Sequence, residues 1–147
     1  MTTLIVGIGN PLRRDDGAGP AVVEPFSCRK RVVHQLLPEH AAELAECDRV
    51  VFVDSAVDEV EVRLRPLLPG AVSPLLGHTG DPAWLLRCCE QVYGHVPEAW
   101  LLTIPAHDLG FGEGFSEPTR QAIDIAVEIL EQWLSKSAAA VPLSALR

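Results

Sequence analysis

Apolar positions in this chain fall into short runs separated by glycine, proline and acidic breaks. Leu4 to Val6 reads as a short buried strand. Gly7, Gly9, Asn10 and Pro11 then break it into a turn. Ala18 to Glu24 predicts a short first helix that Pro25 stops, with Pro20 in its first turn, where the missing N–H costs nothing. Arg31 to Leu37 is the second strand candidate, with Val32, Val33, Leu36 and Leu37 as its apolar positions. Pro38 ends it and opens a helix from Glu39 to about Cys47. Arg49 to Val53 is β-branched and apolar, as a strand buried on both faces should be, and it ends in Asp54.

The second half alternates in the same way. In Glu59 to Leu64 the apolar Val60, Val62 and Leu64 oppose Glu61, Arg63 and Arg65, which predicts a half-exposed strand at or near an edge. Pro66 to Leu76 is rich in Pro and Leu and carries no assignment; Gly77-His78-Thr79-Gly80 reads as a loop. Asp81-Pro82 supplies an N-cap and a first-turn proline for a helix to Tyr93, with Gly94 as its stop. Trp100 to Ile104 is the last strand, followed by a glycine-containing loop from Pro105 to Gly114. Ser116 is expected to cap the final helix, in which Ile123, Val127, Leu130 and Leu134 recur at helical spacing. The Ser/Ala-rich tail, 135–147, is expected to fray.

About five strands alternate with helices. The pattern predicts a single α/β domain over residues 1–147, a mainly parallel sheet with helices on both faces. Strand order, and with it the faces of the first two helices, stays open.

Composition narrows the partners. Hydrophobic residues make up 48% of the chain, ordinary for a globular protein. The formal net charge of -8 argues against a nucleic-acid backbone or an anionic membrane as partner, and the densest basic cluster, Arg29-Lys30-Arg31, is short. No basic region precedes the first apolar run, and no run approaches the ~20 residues of a membrane span. The expectation is a cytoplasmic protein whose Cys28, Cys47, Cys88 and Cys89 are reduced and mostly buried. Cys88 and Cys89 lie within a helix away from its N-terminus, where nothing lowers a thiol pKa.

Candidate chemistry gathers around acids at strand ends. Asp15 and Asp16 lie just beyond the first strand, and Asp54 directly follows another. If those strands are neighbours, Asp16 and Asp54 approach each other at the carboxyl edge of the sheet, where ligands of open α/β folds bind. With His78 from its glycine-flanked loop they make an O, O, N set suited to a borderline divalent metal used in hydrolysis. Plainer readings stand beside this one. Asp15 or Asp16 can cap the first helix, and for Asp15 that reading is favoured over a ligand role. Asp54 can cap a turn with Ser55 and Asp58, and His78 can be a surface loop histidine. Arg13 and Arg14 read as solvated neighbours, His34 as a core or edge strand residue, and His107-Asp108 as a solvated loop pair.

The stretch Gly7-x-Gly9-Asn10-x-Leu12-x-x-Asp15-Asp16-Gly17-x-Gly19 resembles the N-terminal signature of the hydrogenase maturation proteases. These endopeptidases trim the C-terminus of the large subunit of nickel–iron hydrogenases. Val53-Asp54-Ser55-Ala56 is similar to the family's second motif, and Gly77-His78-Thr79 to its histidine loop. Ile104-Pro105 and Gly114-Phe115-Ser116-Glu117-Pro118 resemble its C-terminal pattern. The resemblance implies a twisted sheet sandwiched by helices, a three-layer α/β/α architecture. It implies that Asp16, Asp54 and His78 bind metal and serve catalysis, with nickel supplied by the substrate precursor and no organic cofactor. The implied partner is the hydrogenase large-subunit precursor, with no nucleic acid and no membrane, and the protein is expected to be a monomer. His34-Gln35-Leu36 departs from the Asp-Gly-Gly-Thr-like segment of many members and resembles the branch serving bidirectional, NAD-linked hydrogenases. In the family this segment is associated with recognising the substrate.

Two rivals follow. A non-catalytic chaperone that senses nickel in the precursor would leave the precursor's mass unchanged. A nucleotide-binding domain is suggested by Gly7-x-Gly9, but Leu12 stands where the third glycine of the dinucleotide fingerprint belongs, and two acids would face the pyrophosphate.

Overall fold

The computed structural model describes residues 2–70 and 81–136. Five strands form one sheet in the order β2-β1-β3-β5-β4. They are β1 (Thr3–Ile8), β2 (Lys30–Val33), β3 (Arg49–Ala56), β4 (Arg63–Leu67) and β5 (Glu98–Pro105). The pairings of β1 with β2, β1 with β3, and β3 with β5 are parallel; β4 alone is antiparallel, on the outer edge of β5. The described helices are α1 (Ala18–Val23), α2 (Ala41–Leu44), α3 (Pro82–Tyr93) and α4 (Glu117–Ser135).

Alternation along the central strands sends side chains into two cores. Leu4, Val6, Val50 and Phe52 pack under α2 and α3 with Leu44, Leu85 and Cys89. Ile5, Val51, Val53, Trp100 and Leu102 pack under α1 and α4 with Val22, Ala126 and Leu130. The result is the expected three-layer sandwich. Because the chain moves outward from β1 to β2 and then back across β1 to β3, right-handed crossovers put α1 and α2 on opposite faces.

The central strands lie where the apolar runs predict, lengthened by a residue or more at their ends. The edges differ. β2 ends at Val33, so His34 is exposed beyond the strand rather than inside it. The edge strand expected at Glu59 to Leu64 forms instead at Arg63–Leu67, and Pro66, in the unassigned stretch, belongs to it. Proline is tolerated there because only one side of an edge strand needs ladder donors. The helix expected from Glu39 shortens to a 3-10 turn, Pro38–His40, and the single turn of α2. Asp81 caps α3 by accepting the Ala83 N–H at 2.9 Å, and Gly94 closes that helix at φ 70°. All four cysteines are free; Cys47 and Cys89 are buried, and Cys28 and Cys88 partly so.

The proposed frayed tail falls mostly outside the described residues, as does the rest of the Pro/Leu-rich stretch after Gly70. No described helix is long and apolar enough to cross a membrane.

Candidate functional site

The site begins with two glycines. Gly9 follows β1 at φ 143°, in the left-handed half of backbone space that glycine tolerates, and a Cβ there would overlap the carbonyl oxygen of Asp16. Gly19, in the first turn of α1, lies so close to the sheet that a Cβ would overlap the carbonyl oxygens of both Val53 and Ile8. The start of α1 is thereby pressed onto the carboxyl ends of β1 and β3. These strands are parallel neighbours, with Gly7 beside Val53. Between them the chain's direction of travel reverses, so the crevice is the topological switch point at which α/β sheets bind ligands.

Asp16 and Asp54 both stand at this crevice. Asp16 lies in the 3-10 turn Arg14–Gly17, and its Oδ2 accepts the Asn10 N–H at 2.8 Å. Asn10 in turn accepts the Leu12 N–H at 3.0 Å, which folds the loop back on itself. Asp54 is the sixth residue of β3 and is mostly shielded from solvent. Burial pushes its carboxyl up to about 6, and the negative charge of Asp16 pushes the same way; the Ser55 N–H partly offsets both. Among the described residues no cationic side chain contributes to this balance. Two carboxylates close enough to repel, one of them poorly hydrated, form a set that fits a divalent cation.

His78, the third member of the expected set, lies outside the described residues. Among the described residues no group of three His, Cys, Asp or Glu side chains is placed to hold a metal ion.

Asp15 has a different task from its neighbour. It does not cap α1. It is fully buried and turned towards the loop before α4. Its Oδ2 accepts the N–H groups of His107 and Asp108, both at 2.8 Å, and the hydroxyls of Ser116 and Thr119 at 2.7 and 2.9 Å. Its Oδ1 accepts the Ser116 N–H at 2.8 Å. Burial alone would raise this carboxyl, but the hydrogen bonds from Ser116, His107 and Asp108 together hold it well below the usual carboxylate range. The N-terminus of α4 adds a favourable dipole. Ser116 precedes α4 without its side chain accepting from the helix's backbone N–H groups; its hydroxyl donates to Asp15 instead.

Beside this hub the two loops are joined directly. The Arg14 N–H reaches the Gly112 carbonyl, and the Gly112 N–H reaches that of Leu12. Arg14, at φ 45°, forms an exposed ion pair with Asp108 at 3.6 Å. The His107 and Asp108 side chains are exposed, and it is their backbone N–H groups that matter.

The segment His34-Gln35-Leu36 splits in two. β2 runs parallel to β1, so His34 and Gln35, both exposed just past Val33, sit at the same edge as the acids. Leu36 is 1% exposed and packs in the core under α2 and α3. One polar residue near the site carries no sequence signal: Thr103, which reads only as a strand residue.

No family model matches the chain, and no curated protein sequence is significantly similar to it. Solved structures do match. The maturating endopeptidase HybD of E. coli superposes with a TM-score of 0.75 at 20% identity, over 94% of each chain. The hydrogenase maturation protease HycI of Thermococcus kodakarensis KOD1 gives 0.67 at 20% identity, over 92% of this chain and 93% of its own. This chain has the fold of the hydrogenase maturation endopeptidases. The hydrogenase 2 maturation peptidase of a Thaumarchaeota archaeon gives 0.66 at 22% identity, over 91% of this chain and 98% of its own. The fold implied by the motif resemblance is therefore the observed one, and its sheet edge is where Asp16 and Asp54 lie.

Proposed function

We propose that this protein is an endopeptidase that removes the C-terminal extension of the nickel-loaded precursor of a nickel–iron hydrogenase large subunit. The observation that carries the reading is the pairing of Asp16 and Asp54 across the switch point of this fold, with no cation among the described residues to offset them. The signature from Gly7 to Gly19 supports it, because each of its glycines and acids has a task in forming that crevice.

In this reading nickel arrives as part of the substrate. Asp16, Asp54 and His78 take hold of it, and the precursor's tail is thereby positioned against the sheet edge. The metal can polarise the scissile carbonyl. Either Asp16 or Asp54 is suited to accept a proton from the attacking water, and the departing amine takes that proton up. His78 must be neutral to ligate, so cleavage falls as pH drops through its pKa. His34 and Gln35 at the neighbouring strand end are proposed to contact the precursor, with Leu36 anchoring them from the core. The enzyme is proposed to act as a cytoplasmic monomer with no organic cofactor.

Purified protein incubated with nickel-loaded precursor, followed by intact mass, tests the reading. Loss of a C-terminal peptide supports it, as does loss of cleavage in Asp16→Asn, Asp54→Asn and His78→Ala. A stable complex with unchanged precursor mass would instead indicate a nickel-sensing chaperone.

A further inference from the structure

Thr103 lies in β5 directly beside Asp54 of β3 in the parallel register. Residues paired in this way project to the same face. The pairs on either side of the interval obey this, since Phe52 and Leu101 both pack under α2 and α3, and Val53 and Leu102 under α1 and α4. Asp54 and Thr103 therefore share the first face, at strands about 4.8 Å apart. Thr103 is only 5% exposed, and its hydroxyl has no hydrogen-bond partner among the described residues. A buried hydroxyl left unpaired is unfavourable, and valine would fill the same volume without it. Its in-register neighbour on the other side is Arg63 of β4, which has only donors to offer and reaches Glu59 at 3.8 Å. Its in-register neighbour on the β3 side carries an acceptor, the carboxylate of Asp54.

We propose that Thr103 is a positioning residue: its hydroxyl donates to the carboxylate of Asp54 when the precursor engages, and fixes which oxygen faces the metal-bearing segment. The inference rests on the proposed function. Groups that orient a ligating carboxylate in this way typically contribute 10- to 100-fold in activity or metal affinity.

The test compares full-length wild type, Thr103→Val and Thr103→Ser on nickel-loaded precursor, with KM and kcat determined separately and thermal melts alongside. Thr103→Val is expected to lower kcat roughly 10- to 100-fold with KM within about twofold and no loss of melting temperature. Thr103→Ser is expected to restore kcat to within about threefold of wild type. A valine variant within about twofold of wild type in kcat overturns the inference, as does a serine variant as impaired as the valine one. If valine is not accommodated, Thr103→Ala against Thr103→Ser makes the same comparison: both lose the methyl group and only serine keeps the hydroxyl. Failure of wild type to cleave overturns the proposed function itself, whereas cleavage by wild type and the valine variant alike overturns this inference alone.

Discussion

The carboxylate of Asp15 accepts both the backbone N–H and the hydroxyl of Ser116, 101 residues further along the chain. This contact joins the turn after β1 to the start of α4 and holds the wall beside the crevice. Replacing Asp15 by Asn puts an NH2 group against several donors. Stability should fall by about 3 kcal/mol, the range for breaking a buried, hydrogen-bonded charge. For a chain of this size that is a drop of roughly 6–12 °C in melting temperature. The pH dependence has a definite sign. The folded carboxyl is held below its ordinary 3.8, so its stabilisation is fully present above about pH 4 and is lost as pH falls further. Denaturant titrations of wild type and Asp15→Asn should therefore converge towards strongly acidic pH. Parallel curves from pH 7 to 2 would contradict this role.

This contact also shows where sequence reasoning reaches its limit. Asp15 and Asp16 are adjacent and chemically alike, yet one faces inward to a loop and the other faces the crevice. Nothing local distinguishes them, because the donors to Asp15 come from residues 107 to 119. Asp54 was legible because a doubly buried strand announces its own end. The central strands were legible for the same reason. β2 and β4 were misplaced because edge strands are half exposed and tolerate residues, such as Pro66, that a central strand excludes. Leu36 and Leu37 extended the apparent second strand, although Leu36 is buried from a turn. Thr103 carried no signal at all, since its interest lies in what stands beside it across the sheet.

The glycines of the crevice offer a steric prediction. Gly19→Ala places a methyl group on the backbone carbonyls of Ile8 and Val53, which cannot swing aside. It should destabilise by about 3 kcal/mol or more, or leave the protein insoluble. Gly114 makes the control. It has φ 92° but nothing within 4 Å of its Cβ position, so alanine there meets only backbone strain. That should cost about 1 kcal/mol. Chemical denaturation of the two variants checks the order. Equal losses would mean that α1 is not pressed onto the strand ends.

Asp54 should behave as an acid kept at the expense of stability. Its folded carboxyl titrates at about 6 against an ordinary 3.8, so the native state loses stability through this group as pH rises from about 4 to 6. Asp54→Asn should match wild type at pH 3 and melt higher at pH 8, by up to roughly 6–12 °C, while losing cleavage. Carboxyl carbon NMR should find the Asp54 midpoint near 6. In Asp16→Asn, with the like charge removed, that midpoint should move down. A midpoint unmoved by the Asp16 change would show that the two acids do not share the crevice.

The segment after β2 passes from exposed to buried within three residues. His34 and Gln35 are exposed at the edge that carries the acids, and Leu36 is enclosed by the core. His34→Ala and Gln35→Ala should leave the melting temperature within about 1 °C, as surface changes do. If these side chains contact the precursor equally in its bound and reacting states, they should raise KM by about 3- to 10-fold and leave kcat nearly unchanged. Leu36→Ala should do the reverse. It removes a core side chain, costing about 2–5 kcal/mol, and its effect on KM should come only through displacement of its neighbours. Kinetics and melts on the three variants decide the matter. A loss of kcat without a change in KM for His34→Ala would move that residue from recognition to the chemical step.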